Sequence, residues 1–277
     1  MMRSIGVAII GCGAIGSYIA EALDKDLVEG FEVKILYDRI PEKAYRLSSS
    51  LTTKPRVALR FEEIIEAEDV DLVVEAASQK AVRDYALRVI DSGKNLMIMS
   101  VGALRDLRFY EKLREAAKRK GVKLYIPSGA IAGLDAIKAA RVASIRSVTL
   151  ISRKPPHVFQ DNAYVKSRGI KLSELKEPVI VYEGSALEAC KLFPSSINVA
   201  ATLSLASLGP EKVKVRIIAD PQVSGNIHEV VVEGEFGRIE CRTINKPSPK
   251  NPKTSLLAAL SALATLREIS ESIQIGT

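Results

Sequence analysis

I-G-V-A-I-I-G-C-G-A-I-G, residues 5–16, and V-K-I-L-Y-D, residues 33–38, bracket the stretch that decides the fold. An apolar run broken at once by glycines is a buried strand entering a tight turn. Gly11, Gly13 and Gly16 stand at the positions of a G-x-G-x-x-G fingerprint. The first glycine permits the turn, the second lets a pyrophosphate approach the backbone, and the third lets helix and strand pack closely. Ala14 and Ile15 begin a helix whose N-terminal N–H groups and positive dipole end would face that phosphate. Asp38 follows Gly16 by 22 positions, at the end of the next strand, where a carboxylate can bond a ribose 2′-hydroxyl. The alternative is a glycine turn of some other α/β domain. Strand, turn, helix, strand and acid standing in register argue for a dinucleotide site.

Working outward, 72–76 (L-V-V-E-A), 95–99 and 123–126 read as further strands, with a short one at 56–59. Helical spacing marks 79–92 and 106–119, stopped by Gly93 and Gly121, with shorter turns at 41–49 and 61–66. Strands alternating with helices imply an α/β fold with a parallel, doubly wound sheet of the Rossmann kind. Ligands of such sheets sit beyond the carboxyl ends of the strands. That places Ala76, Ala77 and Ser78, with 100–103 and 128–130, around the nicotinamide half of a cofactor.

Past Pro127 the pattern changes. Helices are expected at 133–143 and 198–207, and strands at 147–152 and 179–183. Ser185 with Glu188 forms a capping box. The polar 153–178, with two consecutive prolines, reads as a long surface excursion. Period-two alternation over 213–220, 227–233 and 238–244 implies an antiparallel or mixed sheet. The proline-rich 246–253 leads into a last apolar helix, 255–273, which has no strand of its own and is expected to return to the first domain. The expected division is a dinucleotide-binding domain, 1–127 plus 251–277, and a second α/β (α+β) domain, 128–250, for catalysis and dimerisation.

Composition narrows the function. The net charge of +7 favours anions, but the basic residues are dispersed. With six Phe and no Trp, stacking platforms for nucleic acid are few. No apolar run has the length of a membrane span and no signal-peptide pattern opens the chain, so a soluble, cytoplasmic protein is expected. Cys12, Cys190 and Cys241 are scattered, neither a disulfide frame nor a metal site. No His/Cys cluster or G-x-S-x-G suggests metal or a serine nucleophile. Two histidines make a short list of proton carriers. His157 lies beside prolines in the polar excursion. His228 opens a strand after a glycine-containing turn and is the better candidate, although a structural histidine fits there equally well.

The sequence resembles the L-aspartate dehydrogenases of archaea and bacteria over nearly its whole length. The resemblance rests on G-C-G-A-I-G (11–16), E-A-A-S-Q-K-A-V (75–82), S-V-G-A-L (100–104), Y-I-P-S-G-A-I-A-G-L-D-A-I (125–137) and F-P-S-S-I-N-V-A-A-T-L-S-L-A (193–206). N-I-H-E-V (226–230), G-E-F-G (234–237) and N-P-K-T-S (251–255) complete it. It implies that His228 is the active-site residue, that Ala130 and Asn198 contact the cofactor, and that the protein is a homodimer. It also implies a link to NAD biosynthesis through a quinolinate-forming enzyme. Ala132, where the family often has glycine, and the long 153–178 segment depart from the pattern. For a dicarboxylate substrate, Lys253 and Thr254 are candidates at the start of the last helix, where the dipole favours anions; simple capping by Thr254 or Ser255 is the rival. Asp38 should repel a 2′-phosphate while Arg39 could receive one, so NAD is expected, with NADP as a secondary cofactor. The competing readings are another Rossmann oxidoreductase, of dihydrodipicolinate or homoserine type, and a non-catalytic dinucleotide sensor.

Overall fold

Buried apolar strands alternating with amphipathic helices build the first of two compact units. The computed structural model describes residues 4–194 and 197–276. Most of the polar 1–4 leader, and Ser195 and Ser196 of the F-P-S-S-I-N segment, therefore lie outside the described residues. The first unit runs β1 (Ile5–Ile10), α1 (Ala14–Asp24), β2 (Phe31–Tyr37), α2 (Pro41–Ser50), β3 (Arg56–Val57), α3 (Glu62–Ile65) and β4 (Leu72–Glu75). It continues with α4 (Gln79–Asp91), β5 (Asn95–Ile98), α5 (Leu107–Lys120) and β6 (Leu124–Tyr125). All six strands are parallel, in the order β3-β2-β1-β4-β5-β6. The order reverses between β1 and β4, the crevice at which such sheets bind ligands. Val7, Ala8 and Ile9 of β1 and Val73 and Val74 of β4 are fully buried, as strands covered on both faces must be.

The second unit comprises α6 (Leu134–Ala140), β7 (Ile145–Lys154), α7 (Ala163–Ser167), β8 (Val179–Ser185), α8 (Ala186–Leu192) and α9 (Asn198–Ala206). There follow β9 (Lys214–Ala219), β10 (Ile227–Gly234), β11 (Gly237–Ile244), β12 (Pro247–Ser248) and β13 (Asn251–Ser255), and then α10 (Leu256–Ser270). Its five-stranded sheet has the order β11-β10-β7-β9-β8 and is mixed. β7 runs parallel to β9, and the other neighbours are antiparallel. By packing, residues up to Pro127 group with Ala259–Ile275, and Ser128–Ala258 form the other unit. The return therefore falls inside α10, and residues 251–258 stay with the second unit. Ala262, Leu263 and Leu266 of α10 join the core of the first sheet, beside Val7, Ile9 and Leu36.

Three local expectations change. The 153–178 segment is not a bare excursion: β7 extends through Lys154, a short 3-10 turn and α7 follow, and Val158, Phe159 and Val165 are buried. Ser185 Oγ accepts from the Glu188 N–H at 3.3 Å, but the Glu188 carboxylate turns to Lys191 at 2.6 Å, so the capping box is half formed. Lys253 and Thr254 lie in β13, paired with β12, and not at the start of a helix. Pairing of the chain back across 247–248 extends these residues, immediately ahead of α10 at Leu256. Among the described residues no helix is long and apolar enough to cross a membrane.

Candidate functional site

The three glycines of the first turn are held by three different constraints. Gly11 has φ +98°, and a Cβ there would stand 2.8 Å from the Ala76 carbonyl. At Gly16 a Cβ would come within 1.9 Å of the Gly11 carbonyl oxygen, so helix and strand could not close. Gly13 is different: its φ of −81° suits any residue, and a Cβ would meet nothing within 4 Å. Its missing side chain leaves space for a ligand instead of relieving a clash. No side chain caps the start of α1, so the fold's own groups leave that dipole end to an incoming anion. These features fit a pyrophosphate. Gly13→Val is therefore expected to weaken NAD binding at least about tenfold, ~1.4 kcal/mol, with an unchanged melting temperature. Gly16→Ala should instead cost about 1–3 kcal/mol of stability. Paired calorimetric and melting measurements check both.

Asp38 closes the cradle. Its Oδ2 accepts from the Cys12 N–H at 2.8 Å and its Oδ1 from the Ile40 N–H at 2.9 Å, which fixes the carboxylate beside the turn. Burial and the neighbouring Asp38 push the Cys12 thiol up to about 12, so it stays protonated and is no redox nucleophile. A cleft of about 530 Å³ runs from Gly11 and Gly13 past Asp38 and Arg39 to Ala76, Ala77 and Ser78. Tyr37, Lys43 and Tyr85 also line it. Sequence reading missed these three, whose spacing alone gives no sign that they meet. Tyr85 stacks on Phe61 at 4.2 Å, and its hydroxyl lies 3.3 Å from that of Tyr37.

Glu75, passed over in sequence as a lone acid in an apolar strand, is the clamp of this cradle. It is 2% exposed. Its Oε1 accepts from the Ala77 and Ser78 N–H groups, both at 2.8 Å, and from Ser100 Oγ at 2.9 Å, while Oε2 accepts from the Ser100 N–H at 3.0 Å. Burial pushes its carboxyl up, and the four donors pull it back without cancelling that effect. One side chain thus ties the end of β4 to the end of β5, at the crevice. Ser78, released from the strand, caps α4 by accepting from the Ala81 N–H at 3.1 Å.

The remaining sequence candidates, Ala130, Asn198, His228, Lys253 and Thr254, all belong to the second unit. The Ala130 carbonyl accepts from Thr243 Oγ1 at 2.8 Å and Asn245 Nδ2 at 3.3 Å. Asn198 is the first residue of α9. His228 sits on β10 opposite Ser152 of β7 and Thr243 of β11 and is 3% exposed. Its Nδ1 has no hydrogen-bond partner. Burial first, and then the ammonium of Lys154, push the imidazole down to about 3. His228 is therefore neutral across the physiological range, where sequence reasoning expected it to titrate near neutrality. Lys253 is exposed and pairs with Asp161 at 3.0 Å. Among the described residues no group of acids, cysteines and histidines could hold a metal.

The glycine turn, the fixed Asp38 and the uncapped start of α1 together make this a dinucleotide-binding protein of the Rossmann kind. Residues 11–127 match the family model described as homoserine dehydrogenase, NAD binding domain, and 135–269 match that of aspartate dehydrogenase, C-terminal. The L-aspartate dehydrogenase of Methanosarcina mazei is 48% identical over 271 residues, 98% of this chain and 99% of that one. That of Methanosarcina barkeri is 46% identical over the same shares. The chain belongs to the aspartate dehydrogenase family. The solved structure of aspartate dehydrogenase from Thermotoga maritima, 34% identical, superposes with a TM-score of 0.76 over 99% of this chain and all of that one. A myo-inositol dehydrogenase from Corynebacterium glutamicum, 16% identical with TM-score 0.54 over 96% and 86% of the two chains, shares the fold alone.

Proposed function

We propose that the protein catalyses the NAD-dependent oxidative deamination of L-aspartate to iminoaspartate, which hydrolyses to oxaloacetate and ammonia, or the reverse amination. The second unit carries the reading. The first matches a homoserine dehydrogenase model, a fold half shared among oxidoreductases, whereas the second matches aspartate dehydrogenase and holds the buried histidine. The bound nicotinamide would accept a hydride from the substrate α-carbon. Gly11, Gly13, Ala14, Ile15 and Gly16 would hold the pyrophosphate, Asp38 and Arg39 the adenosine ribose, and Ala76, Ala77, Ser78, Ala130 and Asn198 the nicotinamide half.

His228 is the proposed proton carrier between water and the departing nitrogen, through its unpartnered Nδ1. A neutral imidazole at a depressed pKa is a weak base, but the negative charge of a bound dicarboxylate raises it again. Charge on the substrate thus prepares the group that will act on it. Contacts from Lys253 and Thr254 to the substrate would require Lys253 to leave Asp161. Formation of NADH from L-aspartate, with D-aspartate and L-glutamate as controls, tests the activity. NAD binding without NADH formation would favour the non-catalytic sensor instead.

NAD is the proposed preferred cofactor, since the Asp38 carboxylate would face a 2′-phosphate, while Arg39 and Lys43 on the same cleft wall soften the exclusion of NADP. Asp38→Asn should shift the NADP-to-NAD ratio of kcat/KM upward by about tenfold, ~1.4 kcal/mol. An unchanged ratio in steady-state kinetics removes Asp38 as the discriminator. A cytoplasmic homodimer handing iminoaspartate to a quinolinate-forming enzyme completes the proposal; three free cysteines suit a reducing compartment.

A further inference from the structure

Lys154 ends β7 two residues after Ser152, so both side chains leave the sheet on one face. That face also carries His228, which pairs with Ser152 across the ladder. Lys154 is 3% exposed, and burial pushes its ammonium down to about 8. Among the described residues no carboxylate pairs with it. The buried acid after β9, Asp220, is taken by Arg153 at 3.5 Å and by the Gln222 N–H at 2.9 Å.

A lysine is almost never fully buried without a counter-charge, because the desolvation is otherwise unopposed. Two more polar atoms on the same face, Ser152 Oγ and His228 Nδ1, are buried with no partner. A cation with no paired carboxylate, on one face with a hydroxyl and an imidazole nitrogen that lack partners, forms a built receptor whose complement is an anion with acceptor oxygens. A metal cation is the wrong sign for it, and an apolar ligand would leave all three unpaired.

We propose that Lys154, with the Ser152 hydroxyl, binds a carboxylate of the amino-acid substrate beside His228. The assignment rests on the aspartate reading for its substrate, while the receptor itself stands on the side chains. The arriving carboxylate supplies the missing counter-charge, holds the ammonium protonated and offsets the positive field that depresses His228.

Lys154→Met, similar in volume and without charge, tests it in the NAD-loaded protein. The expected result is a KM for L-aspartate raised about 10–100-fold and an equally weakened affinity for succinate, a dicarboxylate that cannot react. NAD affinity should not move. The melting temperature should hold or rise, since an unpaired buried charge has gone. Unchanged KM and succinate affinity would overturn the assignment, as would a fall in kcat alone. A variant that melts markedly lower or does not fold would also overturn it, since the ammonium would then be holding the fold. If the wild type forms no NADH from L-aspartate yet binds succinate and K154M does not, the carboxylate receptor stands and the proposed reaction falls. If the wild type is active and K154M shares its KM, the receptor alone falls.

Discussion

Replacing His228 with asparagine should lower kcat for L-aspartate oxidation by about 10²–10⁴-fold, the usual worth of a positioned proton carrier, while leaving NAD affinity intact. The separation is expected because the proposed pyrophosphate and ribose contacts, 11–16 and 38, come from the first unit, and His228 comes from the second. Stopped-flow or steady-state NADH formation together with calorimetric NAD binding would show both. Normal turnover in H228N ends the assignment. A second consequence follows from the depressed pKa. The unfolded chain protonates this histidine near 6.5, but the folded protein does so only near 3. Between those values the unfolded state binds the extra proton, so stability falls as pH drops through that window. The loss is on the order of 5 kcal/mol for a fully buried imidazole. H228N should lack that acid limb, which pH-dependent melting would reveal.

Glu75→Ala should be the most damaging single change in the first unit, at about 3–5 kcal/mol, because four buried or half-buried donors lose one common acceptor. Glutamine is the sharper probe. Its carbonyl can serve Ala77 and Ser78, but its amide N–H₂ would then face the Ser100 N–H, donor against donor. Glu75→Gln is expected to cost about 2 kcal/mol, less than alanine but well above a surface change. It should also loosen the cradle enough to weaken NAD binding. Chemical denaturation measures the first effect. A glutamine variant as stable as the wild type would show that the four bonds contribute little.

The dinucleotide half was readable because its signals are local. Gly11, Gly13, Gly16 and Asp38 lie within one strand–turn–helix–strand unit, where backbone geometry requires Gly11 and Gly16 and the space a ligand needs accounts for Gly13. The alternation of strands and helices fixed the parallel sheet for the same reason. What escaped was written across long sequence separations. Glu75 looks like a stray charge until Ser100, 25 residues on, supplies two of its donors. Lys154 reads as the start of a solvated segment, and only pairing of β7 with β10 and β9 buries it. N-P-K-T-S resembles a helix start because proline and a hydroxyl residue precede an apolar run, yet pairing with Pro247 and Ser248 draws it into a strand. His228 could be placed but not titrated from sequence, since its pKa depends on burial and on a lysine 74 positions away.

The position of α10 bears on how the protein is made. The first sheet draws Ala262, Leu263 and Leu266 into its core from the far end of the chain. A ribosome delivers β1 to β6 long before those residues exist. The nascent sheet must therefore wait, with its apolar face short of a helix, while the whole second unit is synthesised and can fold. The half of the molecule translated first is the half completed last.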